Sequence, residues 1–133
     1  MGSGSPFSYA VLRVVPRVER GEQLNVGVLV FCRPLQYLAA RTAVDEDRLR
    51  ALWPDLDVDA VRIHLAAIER IAAGDPSAGP IAQLDLTARF HWLVAPSSTI
   101  IQPSAVHTGL CGEPAADLDS LFETLVAAPS PGG

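Results

Sequence analysis

Leu24–Cys32 reads LNVGVLVFC, an almost unbroken apolar run interrupted by one polar side chain, Asn25, and one glycine, Gly27. A run of this length is short for a buried helix and is what a strand covered on both faces carries. Arg33-Pro34 follows as a tight connection, and Leu35–Thr42 predicts a strand that returns antiparallel. Upstream, Phe7–Val15 alternates weakly, is rich in β-branched and aromatic residues, and stops at Pro16, so it predicts a further strand. The charged, glycine-containing Val18–Glu22 (VERGE) reads as the turn between them. The three segments form a meander.

The period changes after the meander. Asp45–Trp53 opens on acids, which suit a helix N-terminus, and stops before Pro54. Asp57–Ala73 is the clearest helix: Val61, Leu65, Ile68 and Ala72 form one apolar stripe, Asp57 or Asp59 can cap it, and Gly74 ends it. Asp75–Pro80 reads as a loop. Ile81–Val94 is ambiguous, because FHWLV suits a strand as well as a helix. Pro96–Ser98 breaks the chain, Thr99–Gln102 is a short β-like run, and Pro103–Gly112 reads as irregular. Ala115–Ala128 is a second good helix, with Leu118, Leu121, Phe122 and Leu125 on one face. Strands followed by helices predict an α+β fold: an antiparallel sheet of three or more strands, mainly N-terminal, packed by three to four helices. The expected layout is a flexible segment over 1–6, one domain over 7–128 and a flexible tail over 129–133.

A chain of 133 residues that is 49% hydrophobic and 19% charged can bury its own core. No apolar run approaches the roughly 18 residues that a membrane span needs, and the Gly/Ser-rich start has no basic, apolar signal-peptide pattern. A cytoplasmic location follows as the expectation. Cys32 and Cys111 belong to no CxxC pair and are expected to stay unbridged. All ten basic residues are arginine. Phe7–Val44 holds five arginines against two acids, a net +3, while the remainder holds five against thirteen, a net −8. An acidic whole disfavours indiscriminate nucleic-acid binding. The basic third suits one phosphate, one carboxylate or an acidic partner, or merely solvated strand-edge arginines.

Sequence motifs for common chemistries are missing: there is no P-loop, GxGxxG, HExxH, CxxC or GxSxG. His64, His91 and His107 share no ligand spacing. No metal, no cofactor and no catalytic residue is therefore assigned, and the balance favours a non-catalytic role. Two segments still stand out. Asn25 is a polar residue inside an apolar strand, with Gly27 two positions on and Arg13 on the adjacent strand. A buried amide needs partners for its donors and acceptor. Either Asn25 pins a neighbouring loop and Gly27 allows a close approach or a bulge, or Asn25 and Arg13 line a site. The second segment, Ala95–Gly109 (APSSTIIQPSAVHTG), gathers Ser97, Ser98, Thr99, Gln102, His107 and Thr108. His107 is suited to acid or base work near neutral pH. The candidate binding residues are Arg13, Asn25, Gly27, Gln102 and His107.

YAVLRVVP, RGEQLNVGVLVF, WLVAPSSTIIQPSAVHTGL and the closing LDSLFETLV together resemble the bacterial domain-of-unknown-function family numbered thirty thirty-seven, over roughly Phe7 to Val126. Many members of that family carry an arginine near the first serine after the Ala-Pro. Ser97 stands there in this chain, which removes one candidate anion contact. The resemblance implies no catalytic residues. It does imply a partner role, with a HipA-like kinase as the partner. Homodimerisation through an exposed sheet edge is a further expectation, as is a small enzyme or ligand-binding site if Asn25 and His107 converge.

Overall fold

The computed structural model of the chain describes residues 4–17, 20–96 and 99–127. Val18 and Glu19 of the expected first turn, Ser97 and Ser98, and the tail from Ala128 lie outside the described residues. The meander consists of β1 (Ser5–Val14), β2 (Leu24–Cys32) and β3 (Tyr37–Thr42). Three helices follow: α1 (Glu46–Leu52), α2 (Val58–Ala73) and α3 (Leu86–Val94). Two short strands, β4 (Ile101–Pro103) and β5 (His107–Cys111), precede α4 (Pro114–Leu125). The fold is α+β, with a five-stranded antiparallel sheet packed by four helices.

The strand order is β3-β2-β1-β4, and β5 also pairs with β1. β1 is long enough to serve two short partners on one side. β4 lies along Leu12–Val14 and β5 along Ser5–Tyr9. Both faces of the sheet are covered, as the unbroken run of β2 predicts. Leu12, Val14, Val26, Leu29 and Phe31 point into a core with Leu49 of α1, Leu65 and Ile68 of α2, and Phe90 and Leu93 of α3. The Phe31 and Phe90 rings stack there at 4.5 Å. On the opposite face Val28 and Val30 meet Leu118 of α4 in a smaller cluster that Phe7, Tyr9 and Tyr37 extend.

Local chemistry sets the ends of the elements. The carboxylates of Asp45, Asp57 and Asp85 accept from the backbone N–H three residues on and so cap α1, α2 and α3. Gly74 ends α2 in the left-handed region, at φ 74°, where a side chain is strained. The strand expected from Leu35 begins instead at Tyr37. Arg33–Gln36 form a turn in which the Arg33 carbonyl accepts from both the Gln36 backbone N–H and its side-chain amide. The ambiguous FHWLV is helical, within α3.

Reading Pro103–Gly112 as irregular is corrected, because His107–Cys111 forms β5. The residues of this strand from His107 to Leu110 are all exposed, so it carries no apolar alternation to betray it. Ser104 holds the β4–β5 connection to β1: its hydroxyl accepts from the Val11 N–H at 2.9 Å and its own N–H donates to the Val11 carbonyl at 2.8 Å.

Candidate functional site

Arg13 is directly opposite Asn25 on β2 and directly opposite Gln102 on β4. Directly opposed residues of antiparallel strands point to one face, so the three side chains form a single row across the sheet. That face is the one α4 covers, since the Asn25 amide nitrogen donates to the Leu125 carbonyl at the end of α4, at 3.0 Å.

A β-bulge creates this arrangement. The register shifts between Leu12 and Arg13, so Leu12 opposes Gly27 and Arg13 opposes Asn25, leaving Val26 unopposed. Without the extra residue, Val26 would face Arg13 and Asn25 would face Val14, inside the apolar core. The bulge places Val26 in that core and delivers the amide to the polar row. Gly27 therefore belongs to the opposite face and is not a lining residue. A Cβ on it would lie 2.9 Å from Thr42 Cγ2 and 3.1 Å from Leu12 Cδ1. The structural reading of the Asn25–Gly27 segment thus finds its counterpart, with Asn25 pinning the end of α4 rather than a loop and a bulge beside Gly27.

The Arg13 Nε is buried and has no hydrogen-bond partner among the described residues. The Gln102 side-chain nitrogen donates to the Thr99 carbonyl at 3.3 Å. Two cavities of about 370 and 220 Å³ adjoin Asn25 at the end of α4, both with Arg48 in their walls.

His107 shares the face with this row but lies elsewhere along it. It opposes Tyr9, four residues from Arg13, or about 13 Å along the strand. Its ring stacks on Tyr9 at 5.1 Å, and Tyr9 stacks on Phe7 at 6.0 Å. Phe7 in turn covers Gly109, where a Cβ would approach the ring to 2.8 Å. Alternate residues of β1 therefore form a stripe that runs from two aromatic rings to a guanidinium, with the His107 imidazole beside it. Sequence reasoning missed Phe7 and Tyr9; their period-2 spacing with Arg13 was the available signal. Ser97, the departure from the family pattern, lies outside the described residues.

The other titratable groups have structural roles. Arg41 pairs with Asp119 at 2.8 Å and sits 4.2 Å from the Phe122 ring centre, tying α4 to β3. Burial and the nearby Asp119 and Glu113 carboxylates push the Tyr37 phenol up from its usual value. His64 lines a cavity of about 220 Å³ with Leu12, Ile68, Trp92 and Pro103, and burial pushes its pKa down. Among the described residues no cluster of histidine, cysteine and acidic side chains is placed to hold a metal ion. None of the described helices is long and apolar enough to cross a membrane.

Fold and row define a small α+β domain that carries an aromatic and arginine stripe on one face of its sheet. The chain belongs to the family described as Protein of unknown function (DUF3037), which it matches over residues 9–126. No curated protein and no solved structure matches it.

Proposed function

We propose that this domain is a non-catalytic partner or adaptor that docks another protein on the β1 side of the α4-covered sheet face. The observation that carries the reading is the Phe7–Tyr9–Arg13 stripe. α4 packs on β2 and β3, leaving Phe7, Tyr9 and Arg13 half-buried and His107 exposed. Aromatic and arginine side chains of this kind anchor protein interfaces. The guanidinium at one end suits a partner segment that pairs an apolar side chain with a carboxylate. By family resemblance, a HipA-like kinase is the partner to try first. Titration calorimetry with that kinase should give a complex at micromolar concentration, weakened about tenfold or more by Tyr9→Ala or Arg13→Ala. No heat of binding at roughly 100 µM removes the kinase from the reading.

A ligand-binding role is favoured by one specific observation, the buried Nε of Arg13, which has no hydrogen-bond partner among the described residues and lies beside Asn25 and Gln102. This row suits one small anion, a carboxylate or phosphate. At about 13 Å, His107 lies too far along β1 to reach the same small group. Phosphate or citrate that shifts the Arg13 and Gln102 side-chain resonances would support it; unmoved resonances at millimolar anion would reject it.

A further inference from the structure

We infer that two copies of the chain associate by pairing their β5 strands antiparallel about a two-fold axis at Thr108. The inference stands apart from the partner reading, because it uses the outer edge of the sheet and not the stripe.

The first ground is that β5 presents an unblocked edge. Among the described residues it pairs only with β1, and no other described element packs substantially against it. Exposed edges are usually blunted by charge, proline, a bulge or a covering group. The opposite edge of this sheet is blunted in that way: the Glu69 carboxylate accepts from the Thr42 N–H at 3.0 Å and from its hydroxyl at 2.8 Å. β4 is three residues long and ends in Pro103. In contrast, Ser104–Gly112 contains no arginine, aspartate, glutamate or proline.

The second ground is hydrogen-bond parity. Val11 exchanges bonds with Ser104, and the Val15 N–H donates to the Ile100 carbonyl. Odd-numbered residues of β1 therefore turn their N–H and C=O toward the β4–β5 side. His107 and Gly109, which oppose Tyr9 and Phe7, bond inward. By the alternation of an antiparallel ladder, Thr108 and Leu110 present their N–H and C=O outward, and Val106 directly precedes the strand.

The third ground is self-complementarity. A closed two-fold contact needs a patch that matches itself. With Thr108 opposite its own copy, Val106 falls opposite Leu110 of the second copy, and the reverse. These two side chains are 41% and 72% exposed. On the other face His107 falls opposite Gly109, which the Phe7 ring covers. An axis through Gly109 keeps the parity but sets Val106 against Gly112 and Leu110 against Thr108, so the apolar match selects Thr108. No like charges meet in the paired segment.

The pairing is short, so the expected assembly is a dynamic dimer with a Kd of order 10 µM. Sedimentation velocity from about 1 to 200 µM should show a concentration-dependent shift from monomer to dimer. Amide exchange at Thr108 and Leu110 should slow as the dimer forms, while His107 and Gly109, already bonded inward, change little. Thr108→Asp sets two carboxylates face to face, and Thr108→Pro deletes an outward donor at an edge that tolerates proline. Each should weaken the dimer at least about tenfold with an unchanged circular-dichroism spectrum. A chain that stays monomeric throughout the range overturns the inference, even if its edge captures a strand from another protein. So does a dimer that both variants leave intact.

Discussion

Gly27 is a glycine for lack of space and not for backbone freedom. The bulge packs Val26 and Gly27 against one face, where Thr42 Cγ2 and Leu12 Cδ1 leave no room for a Cβ. Gly27→Ala should therefore cost about 1–3 kcal/mol, the usual penalty of overpacking, measured as a lower urea midpoint. A neutral or stabilising result would mean that β2 shifts freely, and the fixed opposition of Asn25 and Arg13 would fall with it. His64 makes a second claim at this scale. Burial lowers its pKa, and no charged side chain lines its cavity. The unfolded chain binds a proton near pH 6.5, whereas the folded chain resists it until lower pH. The contribution to stability is thus full above about 6.5 and is lost as pH falls through the depressed folded value. Replacing the imidazole, as in His64→Gln, should flatten the fall in melting temperature between about pH 7.5 and 5.5; an unchanged slope would refute the assignment.

At the scale of elements, legibility follows burial. β2 was readable to the residue because both its faces are covered, so its apolar positions on either face report a core. α2 was readable because its stripe, its Asp57 cap and its Gly74 stop agree with one another. α3 was ambiguous because a helix of nine residues spans too few turns to establish a period, and Trp92 stands half-exposed among apolar neighbours. β5 was missed for the opposite reason: a strand whose described side chains are exposed leaves no apolar pattern, and only its pairing with β1 defines it. The site divides in the same way. The opposition of Arg13 and Asn25 follows from a meander with adjacent strands, once one bulge is allowed. The stacking of His107 on Tyr9 depends on a pairing between distant segments, which local periodicity does not encode.

The whole molecule is a sheet shared by two cores of unequal weight. Among the described residues, eighteen buried side chains form the core with α1, α2 and α3, against three in the cluster beneath α4. α4 adds the Asn25 amide on its last carbonyl, that of Leu125, and the Arg41 contacts to Asp119 and Phe122. The ion pair is exposed and contributes little. The helix also lacks a side-chain N-cap. Opening free energy varies across a structure with buried apolar contact, so α4 should undock as a unit while the larger core stays folded. Native-state hydrogen exchange tests this. Amides of Leu121–Leu125 should open with a free energy at least about 2 kcal/mol below those of Val61–Ile71, and with a weak dependence on denaturant, because little surface is exposed. If both sets merge into one global isotherm, α4 and the larger core unfold together. Separate isotherms would mean that the covering of Asn25, the β2 member of the row, is set by a local equilibrium, one that a partner binding the undocked form would shift by its differential affinity for the two states.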